Sequence, residues 1–456
     1  MKKSVVYISI LFITIFLITP SLNAYHLEIS NEKGNNENKN SLNYKLLIIS
    51  PNSFKITLKK LVDHKNEYDF TSKLVTLNEI YNDKYFDIKG RDEAEEIKYF
   101  LFNANKNWNV SYVLLVGNIN KLPIRKTWLS SDNSLKNPIT DMYYSDICFS
   151  DGSFCSWDSN NNGYYGEKNY NGKTDTVDLY PDLYVGRLPC NNIFEVKIVV
   201  DKIIEYEKNS YGKDWGDNIV LAGGDTHPSY NDFYEGEFLI DKIKDATPNL
   251  DHIMLKTSDG TYSKESLNNE INKGAGFVCY AGHGFETGLG THPPNSQEWI
   301  NYHLYDLFNL KNRNKLPIVF FSACLTARLD YNIYNLVADI LYSLSDEPKL
   351  DKPEIDFPVL FPCFAWSMVA KPNGGAIATI GATRIAYSMI SESGVHGGCC
   401  YIALKFFENL DNSEYLGQML VSAKTDYITN SLWDDKLTLE EFILLGDPSL
   451  KIGGYN

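Results

Sequence analysis

Hydrophobic residues along the chain gather into short runs separated by longer segments of helical period. Seven runs read as strands: YKLLIIS (44–50), YVLLVG (112–117), NIVLAGG (218–224), HIMLKTS (252–258), FVCYAG (277–282), PIVFFSAC (317–324) and GAIATIGAT (375–383). They are apolar throughout instead of alternating, as in strands buried on both faces of a parallel sheet covered by helices. Between them, DEAEEIKYFLFNANKN opens with acids that suit a helix N-terminus. In IFEVKIVVDKIIEYEK, Val196, Val200 and Ile203 recur at spacings of four and three, one apolar face of a helix. The alternation breaks over 127–181, rich in Asp, Asn, Tyr and Gly, which reads as loops and a small antiparallel excursion. The expected fold class is α/β, largely parallel sheet flanked by helices, with a first subdomain at 44–215 and a second at 216–456.

The N-terminus stands apart from this pattern. Lys2 and Lys3, an apolar run from Val5 to Ile18, then Pro20 and Ala24 give residues 1–24 the layout of a cleaved secretory signal. Left uncleaved, the same run would be a membrane anchor. Residues 25–43, polar and Asn-rich, read as a linker. The formal net charge is −15, and no concentrated basic surface is visible, which argues against nucleic acid as a partner. Export permits disulfides, so Cys148 and Cys155 are a candidate pair, whereas the adjacent Cys399 and Cys400 could bond to each other only with strain.

Two of the apolar runs end in reactive residues. FVCYAG leads into His283, and PIVFFSA leads into Cys324, followed by LTARLDYN, which reads as a helix start. Ligands of open α/β sheets bind at the carboxyl ends of strands. If the two strands are neighbours, an imidazole can serve a thiol there, and a nearby imidazolium or helix N-terminus would favour the thiolate. Gly284 lets a substrate carbonyl approach, and its N–H with that of Cys324 could hold an oxyanion. The alternative reading of GHGFETG as a phosphate loop fails on spacing, because G-x-G-x-x-x-G is one residue longer than the dinucleotide fingerprint. Neither H-E-x-x-H nor G-x-S-x-G occurs.

YAGHG, with Cys324 of FFSAC 41 positions after His283, resembles the gingipain-like cysteine peptidases of the caspase/legumain-fold clan. TDMYYSD (140–146), YPDLYVGRLP (180–189), NGGAIATIGATR (373–384) and LLGDPSLKI (444–452) are similar to stretches of that family in the same order. The resemblance implies a caspase-like fold of two side-by-side subdomains, the second holding the dyad. It also implies a secreted endopeptidase of protein or peptide substrates, with His283 as general base, Cys324 as nucleophile and Gly284 as an oxyanion donor.

Outside the dyad, DSNNNGYYGE (158–167) opens like an EF-hand loop, with Asp158, Asn160 and Asn162 alternating before Gly163. Asn169 replaces the glutamate at position 12, and Glu167 stands in two places earlier. A weak structural calcium site on Asp158, Asn160, Asn162 and Glu167 is expected, in line with the bound calcium familiar in the resembled family. A solvated Asn/Gly turn is the plain alternative. Asp225 is the best candidate to orient His283, or it caps the segment that follows. His227 and His292 read as loop histidines, and Asp141 and Asp146 as residues shaping the substrate cleft. Two other functions fit the same residues: a non-enzymatic exported calcium-binding scaffold, and a transpeptidase using the dyad.

Overall fold

A computed structural model describes residues 43–130, 136–228, 232–344, 360–432 and 435–456. The signal-like segment 1–24 and the linker as far as residue 42 lie outside the described residues. In chain order the strands are β1 (Leu46–Ser50), β2 (Ser72–Thr76), β3 (Tyr112–Val116), β4 (Arg125–Lys126), β5 (Ile139–Thr140) and β6 (Tyr184–Leu188). There follow β7 (Asn218–Gly223), β8 (Asp251–Lys256), β9 (Phe277–Ala281), β10 (His283–Phe285), β11 (Gly288–Thr291) and β12 (Ile300–His303). The last are β13 (Ile318–Ser322), β14 (Ala378–Ala382), β15 (Ser388–Ser391), β16 (Gly394–Gly397) and β17 (Phe442–Leu445).

Ten of these form one sheet in the order β2-β1-β3-β6-β17-β14-β13-β9-β7-β8. Every residue of β1, β3, β9, β13, β14 and β17 is buried, which is why these runs carry no alternation. All neighbours pair in parallel except β14 and β17, which are antiparallel. The sheet therefore consists of two parallel blocks running in opposite directions. Strands from 44–215 make one block and strands from 216–456 the other, with β17 crossing over to pair with β6. The two expected subdomains share a single sheet.

Helices cover the faces where the apolar period placed them. Glu93–Trp108 starts on Asp92, whose side chain accepts the N–H of Glu95, and Ile193–Asn209 starts on Asn192, which accepts two N–H groups. The C-terminal LGDPSLKI run is fixed by buried charge. Lys65 Nζ lies 2.6 Å from Glu207 and 2.9 Å from Asp447, all three side chains fully buried. At the start of the helix Ile333–Leu344, Asn332 and Asn335 each accept the other's backbone N–H on the side-chain oxygen.

Candidate active site

β9 and β13 are adjacent, parallel and in register, with Ala281 opposite Ser322. The N–H of Gly282 donates to Ser322 O, so the two chains leave the sheet side by side. This brings His283 and Cys324 to one cavity of about 320 Å³, whose floor and walls include Thr226, Glu235, Ala386 and Cys399. A second cavity of about 630 Å³, bordered by Phe233, Ile390 and Glu392, shares His227 and Glu235 with the first.

His283 begins β10, which folds back on β11 with Gly284 opposite Leu289. A Cβ on Gly284 would lie 2.3 Å from the Cys324 carbonyl oxygen, so only glycine lets the histidine strand pass the cysteine turn. His283 Nε2 donates to Thr226 O at 2.8 Å, which leaves Nδ1 as the basic nitrogen. Burial holds the imidazole below its usual pKa. The Thr226 carbonyl works against that shift, while His227 and His292 add to it.

Cys324 is not followed by a helix, contrary to expectation. Residues 325–331 form turns, and Leu325 has a φ of +55°, a left-handed conformation rare for a branched side chain. Its N–H bonds Arg384 O instead of starting a helical turn. No helix N-terminus lowers the thiol. Burial, then the neighbouring Cys399 and Glu441, push Cys324 up to about 12, and Sγ donates to Ala386 O at 3.3 Å. The resting pair is a neutral thiol and a neutral imidazole.

Asp225 does not reach His283. One carboxylate oxygen accepts the N–H of His227 at 3.1 Å and the other that of Asn295 at 3.0 Å, so it caps its own loop. The Thr226 carbonyl beside it orients the imidazole, a role that a backbone group can fill with no side-chain signal in the sequence. His227 and His292 flank His283 at ring distances of 5.7 and 6.1 Å. Asp141 and Asp146 lie outside the cavity lining. Asp141 accepts two hydrogen bonds from the buried Arg187 guanidinium, and Asp146 accepts one from Trp157 Nε1. Cys148 and Cys155 are free thiols turned to different carboxylates, Asp182 and Asp146.

The loop 158–167 closes on itself. Asp158 accepts the N–H groups of Asn162 and Gly163, and Asn160 and Asn162 both point their amides at Glu167 Oε2, at 2.7 and 2.8 Å. Asp175, missed because it lies beyond a twelve-residue loop window, folds back to accept the N–H of Glu167. Asp158, Glu167 and Asp175 are buried, and Arg91 Nη1 binds Asp158 at 2.6 Å. Arg91 is shared between Asp158 and buried Glu95, to which it donates from Nε and Nη2, so its charge does not belong to the loop alone. Asn162 Oδ1 accepts the N–H of Tyr164, and among the described residues no three of His, Cys, Asp and Glu are grouped so as to hold a metal.

A large, mostly parallel sheet carries a cysteine and a histidine at neighbouring strand ends, in a caspase-like fold. The chain belongs to Peptidase family C25, whose model matches residues 39–453. It is similar to Gingipain R2 of Porphyromonas gingivalis, 23% identical over 299 residues, which is 64% of this chain and 33% of that protein. It is also similar to Lys-gingipain HG66 of the same organism, 25% identical over 215 residues, 46% of this chain and 10% of that protein. The chain thus spans a third or less of the length of these relatives. Among solved structures, that of gingipain R (RgpB), an Arg-specific cysteine proteinase, matches with a TM-score of 0.63 at 18% identity. The match covers 90% of this chain and 78% of that one and shows a shared fold.

Proposed function

We propose that the chain is a secreted cysteine endopeptidase working through a thioester. The observation that carries the reading is the parallel register of β9 and β13, which delivers His283 and Cys324 to one cavity. His283 Nδ1 takes the thiol proton as the substrate carbonyl arrives, and the sulfur attacks. The N–H groups of Gly284 and Cys324 hold the oxyanion, the imidazolium protonates the leaving amine, and water then releases the acyl group. Because the resting thiol is neutral, the proton moves with the attack and not ahead of it. Secretion rests on the layout of residues 1–24.

Two carboxylates border the cleft, Glu235 at the junction of the two cavities and Glu392 beyond it. They favour a basic residue before the scissile bond, in keeping with the Arg and Lys preferences carried in the names of the relatives. Calcium belongs to the same proposal as a structural ion held by Asp158, Asn160, Asn162, Glu167 and Asp175, remote from any reaction step.

The test is hydrolysis of a peptide library by the full chain and by Cys324→Ala. Cleavage after Arg or Lys that disappears in the variant supports the reading. A variant that cleaves at the wild-type rate removes Cys324 from the mechanism.

A further inference from the structure

Among the described residues no carboxylate bonds His283; a single hydrogen bond to Thr226 O holds the ring. One bond fixes a point on an imidazole but leaves it free to swing about that point. The missing constraint comes from the other side of the small β10-β11-β12 sheet. His283 pairs with Gly290 in the β10-β11 ladder. A Cβ on Gly290 would lie 2.9 Å from Trp299 Cε3, so the space opposite the histidine is filled by an indole from the β11-β12 connection. The Trp299 ring stands 5.2 Å from that of His283 and 4.0 Å from that of His292. Trp299 remains 45% exposed, so burying its bulk in the core does not explain its position.

We propose that Trp299, seated on Gly290, is the positioning residue for His283, doing for this imidazole what a carboxylate does in a triad. The flat indole blocks the swing of the ring. Its face also favours the imidazolium that forms when the thiol proton is taken, since a cation within about 6 Å of an indole centroid is attracted to it. Gly290 has its own place in this arrangement: a side chain there would push the indole off. The inference rests on the peptidase reading above and adds a residue to it.

Three variants of the full chain test it: Trp299→Leu, Trp299→Phe and Gly290→Ala. For each, kcat and KM are measured on a peptide with a basic residue before the scissile bond, and the rate of Cys324 alkylation by iodoacetamide is measured without substrate. Misplacing a catalytic group by an ångström costs on the order of 100-fold. Trp299→Leu and Gly290→Ala should therefore lower kcat roughly 10- to 100-fold with KM within about twofold of wild type. Both should slow Cys324 alkylation, and Trp299→Phe, which keeps an aromatic face, should recover most of the loss. A rise in KM alone would make Trp299 a substrate contact and overturn the proposal, as would unchanged kcat and alkylation. If the wild-type chain neither cleaves peptide nor alkylates preferentially at Cys324, the dyad reading itself fails and takes this inference with it.

Discussion

His283 works from a depressed pKa, and the sign of that shift sets the acid limb of the reaction. Burial disfavours the imidazolium, so the group is neutral and basic down to a pH below its ordinary value of 6.5. A profile of kcat/KM should hold its plateau through pH 6.5 and fall only below it, with one proton taken up. An acid limb centred above 6.5 would mean that a different group is the base. That His283 and Cys324 meet at one cavity was legible in the sequence because both terminate long apolar runs. Their companions were not. Thr226 acts through its carbonyl, and Trp299 acts through a gap at Gly290 that only pairing with β10 reveals.

At the scale of elements, the strands the pattern marked are mostly those buried on both faces, the edge strand β8 excepted, and three strands of the large sheet were passed over. β2 is the edge strand SKLVT, β6 contains Gly186 and the buried Arg187, and β17 follows directly on the helix Lys436–Glu441. The helix expected after Cys324 gave way to a turn because Leu325 takes a left-handed conformation and its N–H goes to Arg384 O. The 158–167 loop was legible as an EF-hand-like opening, while Asp175 could be found only once the chain had folded back. The proposed calcium ion would join Asp158, Glu167 and Asp175, which are buried in this loop. Millimolar calcium should raise the thermal midpoint by several degrees, and chelator should reverse it, since a ligand at 100 times its Kd adds about 2.7 kcal/mol. Asp158→Ala should remove the response. A midpoint indifferent to calcium would leave the loop as an Asn/Gly turn closed by Arg91.

Across the whole molecule, the decisive feature is one sheet made of two opposed parallel blocks. The two blocks follow the division at 44–215 and 216–456, except that β17, near the far end of the chain, joins them by pairing with β14 and β6. Non-local pairing of that kind leaves no period in the residues themselves. The join is secured by Lys65 between Glu207 and Asp447, and deleting one partner of a buried ion cluster leaves an uncompensated charge. Asp447→Ala should cost about 3 kcal/mol in urea unfolding, with both halves of the sheet melting in one transition. A loss below about 0.5 kcal/mol, within the range of surface changes, would show that the cluster does not hold the C-terminal run.

Whether Cys324 is a nucleophile served by His283 is read by mapping a covalent adduct with a substrate-like peptide. The full chain is incubated with a peptidyl acyloxymethyl ketone bearing arginine next to the reactive ketone, digested, and read by mass spectrometry. One adduct per chain is expected, on Cys324, with formation strongly slowed in His283→Ala. An adduct spread over Cys148, Cys399 and Cys400, or one on Cys324 that forms as fast without the histidine, would contradict a nucleophilic Cys324 served by His283.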